Sequence, residues 1–212
     1  TVMTTGGTLT ATGNNGTNIV LSTGTVLTAG NLSATGSALG SGISMIASKI
    51  TTINAVAVGT NQLTNISALQ SIIICGLLSA SSSVMGAGVS LSASNLMAGV
   101  ITASTNSAEN LVAIESAVEC AGAITANTSA LSFGISLRNS SLMGGTTVTA
   151  TGNKLANISA VQSTIGISQT VSAGGSVSGQ GLSLVATRFQ VHNVLAAGSS
   201  LATSANNLTG LL

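Results

Sequence analysis

The chain has 212 residues, of which only 3% are charged: four Lys or Arg stand against three Glu, for a formal net charge of +1. A soluble globular domain carries about 25% charged residues; this chain also lacks Pro, Trp and Tyr, and its only aromatic residues are Phe133 and Phe189. That inventory excludes nucleic acid as a partner, because Lys49, Arg138, Lys154 and Arg188 are scattered and form no basic patch to displace counterions from phosphates.

It also excludes disorder of the usual kind, which combines low hydrophobicity with high net charge, since 44% of the residues are hydrophobic. A core without Trp or Tyr must be built from Ile, Val, Leu and Ala, which suits thin, regularly layered structure better than a wide globular core. Near-zero net charge removes self-repulsion, so the chain is expected to associate with itself or with a surface.

Taken in chain order, the first elements read as short strands. TLTATG (8–13), NIVLSTG (18–24), TVLTAG (25–30) and GISMIAS (42–48) alternate apolar with small polar residues, which is strand periodicity. Thr, Val and Ile favour the pleat through their stiff χ1, and Gly or Asn is expected at the corners, where a positive φ is needed. Gly42-Ile43-Ser44-Met45 then recurs as Gly88-Val89-Ser90-Leu91, Gly134-Ile135-Ser136-Leu137 and Gly181-Leu182-Ser183-Leu184, at intervals of 46, 46 and 47 residues. A second anchor keeps the same register: Asn61 opens NQLTNISALQS, Asn106 opens NSAENLVAIES and Asn153 opens NKLANISAVQS. A third pairs GGTLTATGN from Gly6 with GGTTVTATGN from Gly144.

The chain is therefore a single repeat array, 1–212, with units of roughly 7–52, 53–98, 99–144 and 145–191 and a partial unit 192–212. A weaker half-period lies inside each unit, since Ile19 sits 24 residues before Ile43 and Ile66 sits 23 before Val89. The expected fold is all-β: a parallel β-solenoid of about 23-residue coils, two coils per 46-residue repeat and three short strands per coil, stacked about 4.8 Å apart. Two segments compete with that reading. Ile72 to Ala80 is apolar but far short of the roughly 20 residues of a membrane span, and Ala108 to Val118 places apolar residues at helical spacing, which leaves open a repeat of strands plus one short helix. The chain opens at Thr1 without the basic and apolar regions of a signal peptide, and its first and last segments read as unit interiors, as in a slice of a longer array or a protomer that stacks end to end.

GTLTATGN, GNLSATGS and GTTVTATGN share an L-x-A-x-G texture. In this they resemble the β-helical repeat regions of large secreted bacterial adhesins and haemagglutinin-like filament proteins. The resemblance implies an extracellular or cell-surface location and a structural or adhesive role.

Groups for chemistry are few. His192 has no acidic residue near it in sequence and reads as an exposed turn residue. Glu109, Glu115 and Glu119 form the one acidic cluster; a carboxylate pair there would suit glycoside hydrolysis, but no aromatic platform or basic residue accompanies it, and a solvated face is the simpler reading. Neither a catalytic residue, a cofactor nor a metal site is expected. Cys75 and Cys120 hold equivalent places in consecutive units. With two coils per unit they lie nearly 10 Å apart, about twice the coil spacing, beyond the reach of a disulfide, so both are expected to be free, buried thiols. Asn-x-Ser/Thr sequons occur at Asn15, Asn31, Asn65, Asn127, Asn139, Asn157 and Asn207.

The leading functional reading is a non-enzymatic structural subunit of an extracellular filament or surface coat, self-associating through stacked β-coils. Its partners are further copies of itself, with surface glycans as a second class. The alternatives are the rigid stalk of a surface adhesin, an ice-binding β-solenoid built on Thr8-Leu9-Thr10-Ala11-Thr12 and Thr147-Val148-Thr149-Ala150-Thr151, interrupted at Ala55-Val56-Ala57-Val58, and a polysaccharide-active enzyme.

Overall fold

A computed structural model describes residues 1–195 and the backbone of Leu201–Ser204 and Asn207–Thr209. Among these residues there is no helix, and every strand pairs in parallel with its counterpart one coil away. The chain is a β-solenoid of about eight turns with coils of about 23 residues. Partners in neighbouring coils lie 22 to 24 residues apart, as in Ile43↔Ile66↔Val89↔Leu111↔Ile135, shortening to 19 in the last coil, as in Leu182↔Leu201.

Each coil has three faces. Face I is a nine-stranded sheet of short strands such as Ile43–Ile46, Ile66–Leu69 and Leu111–Ile114. Faces II and III are the two halves of a 13-stranded sheet folded around a corner. Ile72–Ser81 runs unbroken through that corner, with the register slipping against the previous coil between Thr51 and Ala55. Other coils break there, as at Ala117–Cys120 and Ile124–Thr125.

Alternation decides what is buried. Ile66 and Ala68 point in while Ser67 is half-buried and Leu69 exposed; Ile73, Cys75, Leu78 and Ala80 point in from the other two faces. Rows of mainly apolar side chains thus stack through the interior, one per coil, with Phe189 the largest of them. The apolar run Ile72 to Ala80 is accounted for as a bent strand, and no described helix is long and apolar enough to cross a membrane.

The helical spacing of Ala108 to Val118 has a different origin. Leu111 and Ala113 face the core from face I, Val118 and Cys120 face it from face II, and a corner at Glu115 separates them. The corner inserts a phase slip between two period-2 strands, and the sum imitates a period near 3.6.

At that corner the expected glycine or asparagine stands only at Gly24 and Asn139. Seven consecutive coils turn it with a left-handed residue at φ between 44° and 51°, and the residues are Ala47, Gln70, Ala93, Glu115, Asn139, Gln162 and Ala186. A left-handed non-glycine costs roughly 1–2 kcal/mol. The next residue offsets it. Ser48, Ser71, Ser94, Ser116, Ser140 and Ser163 are all buried, and each of the first five donates its backbone N–H to the hydroxyl of the next at 3.0–3.2 Å.

A second ladder explains why the sequence repeats every 46 residues when the coil repeats every 23. At the corner between faces III and I, alternate coils carry Asn-x-x-x-Asn: Asn14/Asn18, Asn61/Asn65, Asn106/Asn110 and Asn153/Asn157. Within each pair the first amide donates to the second carbonyl oxygen at 2.8 Å. Between pairs the second amide donates to the first of the next at 3.0 Å. Eight side chains form one chain of hydrogen bonds along the rod, closing on Gly174 O at 2.9 Å.

The intervening coils carry Ser37, Ser83 and Ser129 at this place, and each donates its backbone N–H to the Asn of the following coil at 2.7–3.0 Å. They also carry the glycines that mark the repeat. A Cβ on Gly88 would stand 2.5 Å from Asn106 Nδ2, 2.6 Å from Asn110 O and 2.8 Å from Ala80 O. The Asn anchor and the Gly anchor are two sides of one contact.

Candidate functional site

The three glutamates belong to one coil, but the fold sends them to three places. Glu109 lies at the corner between faces III and I, where it accepts a 2.8 Å hydrogen bond from Ser132 Oγ. Ser132 stands where neighbouring alternate coils have Gly40, Gly86 and Gly179, so Glu109 and Ser132 form a local exchange of one contact for another. Glu115 occupies the left-handed corner, exposed. Glu119 is in the outward row of face II, between Met97 and Met143 of the adjoining coils. The corner parts Glu115 from Glu119, so the pair does not assemble into two carboxylates flanking a common space. Among the described residues no three His, Cys, Asp or Glu gather as metal ligands.

A depression of about 480 Å³ opens on face II beside Glu119. Its walls are mainly apolar, from Ile74, Met97 and Met143, with Cys75 and Cys120 at its base. Cys75, Ala98 and Cys120 are successive members of one inward row, so one whole coil separates the two sulfurs' residues. Both thiols are free and buried, as the two-coil repeat predicts. Burial, together with the neighbouring Cys120, pushes the Cys75 thiol up to about 12, and burial raises Cys120 as well. Both are protonated at neutral pH, the unreactive state of a cysteine.

The folded state holds Cys75 neutral where the unfolded chain ionises it near the ordinary thiol value of 9.0, so the unfolded state gains protonation-linked stability as pH rises from about 9 towards 12. The denaturation midpoint is expected to fall across that window and to fall less in Cys75→Ala. Below it, a thiol reagent should label neither cysteine until the protein unfolds.

His192 is exposed, next to the register slip between faces II and III. Of the sequons, Asn65 and Asn157 are fully buried with their amides in the ladder, which leaves no room for a glycan. Asn15 and Asn139 are exposed, and Asn31 and Asn127 half-buried; the side chain of Asn207 lies outside the described residues.

No family model matches the chain, and no curated protein or solved structure is significantly similar to it. What the fold offers is surface. On face III the register aligns an outward row Thr10, Ser33, Ala57, Ser79, Thr102, Thr125, Thr149 and Ser172. Seven of these eight are hydroxyls, broken at Ala57 where the sequence interrupts its Thr pattern, and the row ends in the next coil at exposed Leu195. On face I the central outward row is serine in six coils, including Ser44, Ser67, Ser90 and Ser136. The apolar rows that flank it, and both hydrogen-bonded ladders beneath the corners, escaped the sequence reading. The signal was present as a Ser or Thr every 22 to 24 residues from Ser48 to Thr187, hidden by a composition in which Ser occurs everywhere.

Proposed function

We propose that this chain is a structural subunit of an extracellular filament or surface coat, a stiff rod of low charge that associates with copies of itself. The observation that supports this reading most is the regularity of the stack. Between Ser37 and Gly174 each coil is tied to the next by parallel strands on its faces and by side-chain hydrogen bonds at two corners, so bending the rod means breaking several bonds at once. Nothing along it concentrates ionisable groups. Its surface is small hydroxyls and aliphatic side chains, which repel neither another protein nor each other.

Electron microscopy of the purified chain across a dilution series tests the proposal. Concentration-dependent filaments or sheets with a repeat near 4.8 Å are the expected result. Dispersed single rods at every concentration would refute self-assembly.

The hydroxyl row on face III favours a second reading, an ice-binding surface. In that case a thermal-hysteresis assay gives activity that rises in Ala57→Thr, which completes the row; freezing at the equilibrium point with either chain dismisses it.

A further inference from the structure

We propose that face I, with the corner that leads into it, is a side-by-side contact surface for a second copy of this chain. The inference rests on the reading of the chain as a self-associating rod and names the face through which rods pair. Twelve of the 21 large apolar side chains that the described residues expose lie on this one side. Eleven of them fall in two rows, and the twelfth, Val20, begins the central row that continues as Ser44. Leu39, Met85 and Leu131, exposed by 60–73%, lead the corner row, and Ile46, Leu69 and Ile114 lead the row at the far edge of the strands. Between them runs the serine row, small enough to let a facing sheet approach to about 10 Å.

The size of the strip fits a dimer. Eight coils at about 4.8 Å give a length of about 38 Å, and corner to edge is roughly 20 Å, so two copies would bury roughly 1,500 Å² in all, within the 1,200–2,000 Å² of stable complexes. Period decides the occupant. The two rows repeat with the coil, the edge row broken at Ser92 and Arg138, and a partner must carry knobs at the same coil spacing to interdigitate, as in dry sheet-to-sheet interfaces. A second copy has that spacing by construction. Charge does not oppose the pairing, because Glu109, Arg138 and Lys154 on this side include both signs.

The test is small-angle scattering and sedimentation of the full chain over a dilution series. Two double variants are compared with it: Ser90→Lys with Ser136→Lys in the centre of face I, and Thr102→Lys with Thr149→Lys on face III. All four positions are outward and only partly exposed, so matching circular dichroism and thermal unfolding establish that both variants fold. Pairing through face I predicts doubled mass with a widened cross-section for the wild type. The face I lysines should weaken association roughly a hundredfold or more, since facing like charges cost several kcal/mol, and the face III lysines should leave it unchanged. Growth in length at constant cross-section would overturn the side face while leaving a filament intact. Single rods throughout would overturn both. Vesicle binding by the single rod, abolished by the face I lysines, would assign the strip to a lipid surface instead.

Discussion

Replacing Asn106 with leucine is expected to lower the stability of the rod by about 4 kcal/mol, read as a shift of the urea midpoint, although the new side chain fills much the same volume. Asn106 is fully buried and makes four side-chain bonds: it accepts from Asn65 Nδ2 and Ser83 N, each at 3.0 Å, and donates to Ala80 O at 3.1 Å and Asn110 Oδ1 at 2.8 Å. An apolar replacement removes all four: the Ser83 N–H loses its acceptor, Asn65 Nδ2 keeps only Ser81 O, and Ala80 O and Asn110 Oδ1 each lose a donor, at about 1–3 kcal/mol for each group left unpaired in the interior. Amide chains also polarise one another, so the loss reaches beyond the nearest bonds. Asn95, exposed on face II, provides the control: Asn95→Leu should move the midpoint by no more than about 0.5 kcal/mol.

The second large effect is expected from a single methyl group. Gly88→Ala should destabilise by about 3 kcal/mol or more, because the Cβ would enter space held by Asn106 Nδ2 at 2.5 Å and by two backbone carbonyl oxygens, those of Asn110 and Ala80. Backbone oxygens in a stacked sheet cannot retreat without shifting a coil. Gly16→Ala, where nothing lies within 4 Å of the added carbon, should be close to neutral. The two anchors can be tested together. If Gly88 exists to make room for the Asn106 amide, then Gly88→Ala combined with Asn106→Ala should cost less than the sum of the single changes, by about 1 kcal/mol. Additive costs would mean the two residues answer to separate constraints.

These effects bear on how much of the architecture was legible beforehand. The repeat, the halving of 46 into two coils, the three strands per coil and the separation of Cys75 from Cys120 all follow from patterns that depend on spacing alone. What depends on identity at a single corner was harder to see. Ala47, Gln70 and Glu115 have nothing in common as side chains, and a left-handed turn at such residues is visible only through the buried serine that follows them. The helical spacing over Ala108 to Val118 misled for the same reason, since a corner residue that changes the strand's direction leaves no mark in an apolar pattern.

The Gly and Asn anchors were both plain as motifs. Their meaning was not, because the contact that joins Gly88 to Asn106 spans adjacent coils and appears only when the coils are stacked in register. As for candidate chemistry, the three glutamates looked like a cluster because they are close in sequence. A coil with three faces and a corner every few residues disperses neighbours just as efficiently as it gathers distant ones.

Hydrogen exchange of asparagine side-chain amides, followed by NMR on the whole chain, tests most directly whether the rod is locked along its length by one continuous amide chain. Asn61, Asn65, Asn106, Asn110, Asn153 and Asn157 are predicted to keep their side-chain protons far longer than exposed Asn54 and Asn95, with protection continuous from coil to coil. Ladder amides that exchange as fast as those of Asn54 and Asn95 would contradict it, and with it this explanation of the 46-residue repeat.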